Sequence, residues 1–210
     1  MIYNNGVMFM NASFTKRLIA YLIDMFIVSL ICSIITINVS SNNTNKYNKE
    51  LNNLMNDYVN KKVEVNDYID KYQNIVYNME KSNMVINSVY LFANIFYFVI
   101  FQFMNNGQSI GKKLMHIRIC DKDKFKLSIF SMIMRALIIN NILSGSVALI
   151  LLIIGNKKVF FVGYSVVNGI SNIFIIISVL MLLYGKEKLA LHDIISRSVV
   201  KEEDVNYGKS

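Results

Sequence analysis

The chain contains no proline and no tryptophan, and only 17% of its 210 residues are charged. Soluble domains carry about one quarter charged residues, so this shortage argues against a soluble globular protein. Hydrophobic residues make up 54% of the chain, and the charged residues concentrate between long apolar runs. Without tryptophan, tyrosine and lysine remain as anchors at a membrane interface. The composition therefore predicts an integral membrane protein.

Cysteine and histidine, which commonly form disulfides, bind metals or take part in catalysis, are also scarce, with two residues of each. Cys32 lies in the first apolar run and Cys120 in a connecting segment, so we expect no disulfide between them. His116 and His192 do not stand at metal-ligand spacing. The chain has no nucleophile elbow, P-loop or HExxH motif. We therefore expect no enzymatic activity, no metal and no cofactor.

Long apolar runs divide the chain into candidate spans, because about 20 residues cross a hydrocarbon core of about 30 Å. The pattern predicts an all-α, polytopic membrane bundle with four transmembrane helices, at 18–38, 85–104, 132–154 and 159–184. The first run is too long for a signal peptide and contains Asp24, so we interpret it as a retained helix. The chain length leaves room for a single membrane domain over 1–210.

The distribution of lysine and arginine predicts the orientation in the membrane. Basic residues dominate the loop 105–131 and the tail 185–210, and Lys16 and Arg17 precede the first span. Because short basic loops stay in the cytoplasm, we expect both termini and the loop 105–131 to be cytoplasmic. Much of the net charge of +8 then faces anionic membrane lipids. No nucleic-acid motif accompanies these basic residues, so we expect no nucleic-acid partner.

Two connecting segments carry patterns of their own. The outer loop 39–84 has apolar residues at helical spacing, which predicts an extracytoplasmic helical hairpin. The hairpin either packs on the membrane face or forms a partner-binding cap, and both interpretations stay open. In the loop 105–131, Met115, Ile117 and Ile119 alternate with polar residues. This pattern predicts a strand that pairs with 197–201 as a small cytoplasmic β element.

Asp24 is the most informative single residue, because it lies within the first apolar run. A carboxylate about 10 Å below the membrane surface costs about 3 kcal/mol and is usually functional or joins helices. Arg17 stands about 10.5 Å away along the helix axis, too far for direct bonding. Arg135 enters the third span at a similar depth. We therefore predict an ion pair between Asp24 and Arg135, either as part of a transport site or as a structural clamp.

Three segments in order carry a family resemblance. Residues 12–24 contain Arg17 and Asp24, residues 107–114 read Gly-Gln-Ser-Ile-Gly-Lys-Lys-Leu, and residues 191–193 read Leu-His-Asp before a Ser-Val-Val at 198–200. Together they resemble the RDD family of small bacterial membrane proteins. The chain departs from the family pattern at Ser109, where threonine is commoner.

The resemblance implies a multi-pass protein of the bacterial cytoplasmic membrane and, for some members, cation/proton exchange. Carried over by position, the charged family residues are Arg17, Asp24 and Asp193. Residues expected to support them are Arg135, Gly111, Lys112 and His192. We expect Asp193 to lie near Lys112 or Arg17, or else to serve only as a helix cap.

The expected function is transport or exchange of small cations and protons. Asp24 would alternate between a proton and a cation, and Arg17 or Arg135 would tune its pKa. Four spans form a thin pathway, so transport favours a homo-oligomer. Spans three and four also carry asparagines, such as Asn140, that suit hydrogen bonds between helices. The alternative is a non-transporting membrane scaffold or assembly factor whose ion pairs are structural.

Overall fold

The apolar runs fold into helices in a computed structural model, which describes residues 3–4, 7–8, 10–37, 41–122 and 127–203. The helices are α1 (Phe14–Thr36), α2 (Ser41–Val59), α3 (Val65–Ser82), α4 (Met84–Ile95), α5 (Gln102–Met104), α6 (Ile110–Leu114), α7 (Ile129–Ile139), α8 (Ile142–Ile154), α9 (Lys157–Tyr184) and α10 (Leu191–Ile195). The strands are β1 (Tyr3–Asn4), β2 (Val7–Met8), β3 (Ile117–Asp121) and β4 (Ser198–Glu202). Parts of the predicted segments 18–38, 39–84, 105–131 and 185–210 lie outside the described residues.

Three helices in the described part of the chain are long and apolar enough to cross a membrane. They cover Phe14–Thr36, Met84–Met104 and Lys157–Tyr184. Large apolar side chains on them are exposed, including Phe26 and Phe92, which suits contact with lipid. These helices agree with the first, second and fourth predicted spans. The chain is thus a mostly helical, multi-pass membrane protein.

The third predicted span, 132–154, differs from the prediction of one continuous helix. It consists of α7 and α8, which are bent by 72° at the break between them. Asn140 ends α7, and Asn141 has a φ of 52°. Asparagine tolerates this left-handed conformation, which cannot continue a right-handed helix. The described residues therefore contain three candidate spans, or four if the bent pair is one span.

The second span contains a π-helical stretch, Phe96–Phe101, between α4 and α5. A π-helical turn widens the backbone spiral and shifts the direction of the side chains that follow. Here three consecutive side chains, Tyr97, Phe98 and Val99, are buried. In an ordinary helix three consecutive side chains point in directions about 100° apart. The stretch thus helps to bury the polar Tyr97 side chain within the protein.

A small antiparallel sheet joins distant parts of the sequence. Strands β3 and β4 pair so that Ile119 lies opposite Val200, which confirms the predicted strand pairing. The backbone N–H of Ala12 donates to the carbonyl of Val200 at 2.8 Å. Gly107, with a φ of 83°, packs its Cα against the backbone of Ile119, where a Cβ would collide. The segments before α1, after α5 and after α10 therefore meet at this sheet.

The chain forms two compact units. The first comprises Met1–Leu30, Phe92–Leu143 and Ile170–Ser210 and contains the sheet of β3 and β4. The second comprises Ile31–Leu91 and Ser144–Gly169. In the second unit α2 and α3 pack as the predicted helical hairpin, with the rings of Tyr58 and Tyr68 4.6 Å apart.

Candidate functional site

Asp24 lies fully buried in α1 and is the first of two buried carboxylates among the described residues of the first unit. Its Oδ1 accepts hydrogen bonds from the Tyr97 hydroxyl and the Gly111 backbone N–H, each at 2.7 Å. Its Oδ2 accepts one from the Ser109 hydroxyl at 2.5 Å and lies 3.6 Å from Lys112 Nζ. Both carboxylate oxygens are thereby compensated, as a buried charge requires.

Gly111 allows α6 to approach α1 closely enough for this contact. A Cβ at Gly111 would collide with the backbone carbonyl oxygen of Ala20 and lie 2.8 Å from Asp24 Oδ1. Any larger residue would therefore push α6 away from the carboxylate. The glycine acts by letting its own backbone N–H reach Asp24.

Lys112 brings a positive charge to the same carboxylate. Its Nζ also donates to the Ser109 hydroxyl at 3.2 Å and lies 6.0 Å from the centre of the Phe98 ring. Burial lowers the pKa of Lys112 to about 8, although the negative charge of Asp24 opposes this shift. The ammonium group can therefore lose its proton near physiological pH.

Asp193, in α10, is the second buried carboxylate and is 1% exposed. Its Oδ2 contacts Arg17 Nη1 at 2.6 Å, and its Oδ1 contacts Arg135 Nη1. The backbone N–H of Ala190 donates to Oδ2 at 3.1 Å. Asp193 thus serves as a helix-capping group and as the shared partner of two arginines. Its contact with Arg17 confirms one of the two neighbours predicted for it.

Arg17 also donates hydrogen bonds to backbone carbonyls of the first unit. Its Nε donates to the Ala12 carbonyl at 3.1 Å, and its Nη2 donates to the Lys188 carbonyl at 2.9 Å. Arg135 Nη1 also donates to the Ser198 hydroxyl at 3.1 Å. A guanidinium group with several donors is well suited to joining segments that are distant in sequence.

The predicted ion pair between Asp24 and Arg135 is wrong. Among the described residues Arg135 pairs with Asp193, and Asp24 pairs with Lys112. Helix α10 brings Asp193 into contact with Arg135. The depth of Arg135 in its span therefore did not decide its partner. The charged residues therefore form two centres rather than one.

Burial and neighbouring charges set the protonation of the Asp193 centre. Burial alone would raise the pKa of Asp193, but the guanidinium groups of Arg135 and Arg17 hold it well below its usual range. His192 Nε2 lies 3.4 Å from Asp193 Oδ1. Burial lowers the pKa of His192 to about 3, and the charge of Arg135 adds to this shift. His192 is therefore neutral and Asp193 is ionised at neutral pH.

Four of the predicted site residues line a single cavity of about 320 Å³ in the first unit, namely Arg17, Lys112, Arg135 and His192. Gly111 supports the Asp24 centre from α6. The structure thus brings all seven predicted site residues into two adjoining clusters.

Both centres lie in a region of the chain that matches a family model. A model of the RDD family matches residues 11–197. The chain belongs to the RDD family. No curated protein and no solved structure matches this RDD protein. The matched region contains both buried carboxylates and the three cations that pair with them.

Sequence reasoning missed three contributors to these RDD centres, namely the Tyr97 and Ser109 hydroxyls, which donate to Asp24, and the amide of Gln108. Tyr97 was read as part of an apolar span, although a hydroxyl inside a membrane helix needs a hydrogen-bond partner. Gln108 was quoted only as a motif residue. Its Nε2 donates to the Ile117 carbonyl at 3.3 Å and to Glu203 Oε2 at 2.9 Å. Gln108 thus fixes the turn that presents Ser109 and Gly111 to Asp24.

Proposed function

We propose that this RDD protein exchanges small monovalent cations for protons, with Asp24 binding the cation and Lys112 carrying the competing proton. The observation that supports this proposal is the distance of 3.6 Å between Lys112 Nζ and the fully buried Asp24 carboxylate. A buried carboxylate requires a positive partner. The ammonium group meets that need while it is protonated, and a metal cation meets it afterwards.

The exchange is balanced in charge. When Lys112 releases its proton to water, the carboxylate of Asp24 is left with hydroxyl and amide donors alone. A cation such as Na⁺ or Li⁺ then binds the Asp24 oxygens, and the hydroxyl oxygens of Ser109 and Tyr97 are near enough to turn toward it. Hard cations prefer such oxygen ligands. One proton leaves for each cation that binds.

The proposed topology has four spans with both termini and the loop 105–131 in the cytoplasm. The sheet supports it, because the segments before the first span, after the second and after the last meet there. Segments on one side of a membrane are separated by an even number of crossings, which favours counting α7 and α8 together as one span. Basic residues near the sheet favour the cytoplasmic side. The hairpin of α2 and α3 is then extracytoplasmic, and a homo-oligomer would complete the pathway.

Proton flux in proteoliposomes tests the proposed function. Vesicles that contain a pH-sensitive dye receive a pulse of sodium, lithium or potassium. We compare wild type with Asp24→Asn and with Glu187→Gln, a matched change at an exposed carboxylate. All proteins are adjusted to equal insertion and checked for equal melting. We expect flux from wild type and Glu187→Gln, and a loss of at least tenfold in Asp24→Asn.

A second candidate is a membrane scaffold or assembly factor, favoured by the complete hydrogen bonding of Asp24. Protein donors already satisfy both of its oxygens, as a structural tie between α1 and α6 would require. The outer hairpin would then meet the partner. Absence of any cation-dependent flux from well-folded wild type would contradict exchange and favour this scaffold function.

A further inference from the structure

The cavity of about 320 Å³ in the first unit has a wall of mixed chemistry. Its apolar part includes Leu18, Met132, Ile175 and Val179. Its ionised part consists of the three cations Arg17, Lys112 and Arg135. A cavity that combines an apolar wall with clustered cations suits an amphipathic anion, and its volume lies near the lower end of the range for small-molecule sites.

The charges around the cavity do not balance. Arg17 and Arg135 share Asp193, while Lys112 pairs with Asp24. Among the described residues, these three cations pair with two carboxylates, so one positive charge remains in excess. Both carboxylates are at most 1% exposed and contact the cations without lining the cavity. A buried excess charge is unfavourable unless an anion compensates it.

Two hydrogen-bond donors in the lining of the same cavity support an anionic ligand. The hydroxyl of Ser178, which is 2% exposed, has no hydrogen-bond partner among the described residues. The same holds for the buried amide nitrogen of Asn140 within the described part of the chain. Both residues line the cavity. Buried donors in folded proteins are nearly always paired, and phosphate oxygens would accept from both.

The apolar part of the cavity lining favours a membrane lipid as the anionic ligand. Residues from all the candidate spans contribute to it, including Leu18 of α1, Phe98 of the π-helical stretch and Val179 of α9. Leu18 lines the cavity and is also 42% exposed. The apolar wall is therefore continuous with a surface that suits lipid chains. Basic pockets between spans are known to suit anionic head groups.

We propose that the cavity binds one anionic phospholipid, whose phosphate faces the three cations and whose acyl chain lies along the apolar wall. The phosphate accepts hydrogen bonds from Ser178 and Asn140 and balances the excess charge. The remainder of the chain lies along the exposed apolar surface near Leu18. Lys112 belongs both to this site and to the cation exchange proposed at Asp24, but retained lipid and proton flux are measured separately, so either proposal can fail without the other.

Native mass spectrometry of the wild-type protein tests the proposal without any variant. The protein is incubated with phosphatidylglycerol, phosphatidylcholine or inorganic phosphate, and the bound mass is measured after removal of excess ligand. We expect one phosphatidylglycerol retained, at least fivefold above phosphatidylcholine. Equal retention of the two lipids would overturn the proposal. Retention of inorganic phosphate as strong as that of phosphatidylglycerol would overturn the assignment to a membrane lipid.

A matched pair of variants tests the location. Ile175→Phe narrows the apolar wall, whereas Ile176→Phe makes the same change at the next residue, which is 57% exposed and is not on the wall. Both substitutions leave the charged side chains themselves unchanged. We expect retained phosphatidylglycerol to fall at least fivefold in Ile175→Phe and to stay unchanged in Ile176→Phe. Equal retention in both variants would contradict binding in this cavity.

Discussion

Replacement of Gly111 by alanine tests the close approach of α6 to α1. The added Cβ would collide with the Ala20 carbonyl oxygen, which belongs to the helix backbone and cannot rotate away. α6 must then shift, and the 2.7 Å hydrogen bond from the Gly111 N–H to Asp24 weakens or breaks. Gly111→Ala therefore changes packing and buried electrostatics together.

The expected change in the free energy of unfolding for Gly111→Ala is the sum of three contributions. Overpacking costs about 1 to 3 kcal/mol, and loss of a hydrogen bond to a charged group costs about 1.5 to 3 kcal/mol. The helix propensity of alanine returns about 0.5 to 1 kcal/mol. The net expectation is a loss of about 2 to 5 kcal/mol. A loss of about 3 kcal/mol corresponds to a fall in Tm of roughly 6 to 12 °C for a protein of this size.

Thermal unfolding in detergent provides the assay, and Gly169→Ala provides the matched control. A Cβ at Gly169 meets nothing within 4 Å, so alanine there keeps only the propensity gain of about 0.5 to 1 kcal/mol. The two substitutions should therefore shift the Tm in opposite directions. A Gly111→Ala protein at least as stable as the Gly169→Ala protein would refute the close approach.

Three other substitutions test the buried centres. Asp193→Asn should lower the free energy of unfolding by about 3 to 5 kcal/mol, because two buried arginines lose their shared partner. Asp70→Asn, at an exposed pair, should change it by less than about 1 kcal/mol, and similar effects of the two substitutions on chemical unfolding would contradict this difference. Tyr97→Phe should cost about 1.5 to 3 kcal/mol for its hydroxyl bond to a carboxylate, and Tyr184→Phe, at a site 82% exposed, should cost almost nothing. Because the pKa of His192 is lowered to about 3, the unfolded chain binds more protons than the folded one below about pH 6.5, and stability falls as the pH falls. His192→Asn should remove about 3 kcal/mol of the stability lost between pH 7 and 4, and parallel stability–pH profiles for wild type and His192→Asn would contradict a neutral buried histidine.

The spans and the small sheet could be predicted because each depends on local sequence. Continuous apolar runs identify membrane helices by length, and the alternation around Ile117 and Ile119 identifies a strand. The break in the third span was missed, since the surrounding residues are strongly apolar. Two consecutive asparagines, Asn140 and Asn141, were the available signal for a left-handed residue there.

The partners of the charged residues could be predicted only in part. Asp24 was recognised because a charge within an apolar run needs compensation, whereas Arg17 and Asp193 were assigned to the site by the family resemblance. Which cation meets which carboxylate depends on the turn after Gly107 and on α10, and these bring Lys112 and Asp193 to their partners. Such contacts join residues that are far apart in sequence, so helix depth alone gave the wrong partner for Asp24.

Proton release on cation binding most directly tests the claim that a Lys112 proton and a cation compete for Asp24. Sodium or lithium is added to the purified protein in weakly buffered detergent at pH 7, and released protons are measured against bound cation. Because the Lys112 pKa of about 8 lies above the pH of the assay, we expect close to one proton per cation. Lys113→Met, a change at an exposed neighbour, should behave like wild type, whereas Lys112→Met should release almost none. Cation binding without proton release from wild type, or equal release from Lys112→Met, would contradict the exchange mechanism.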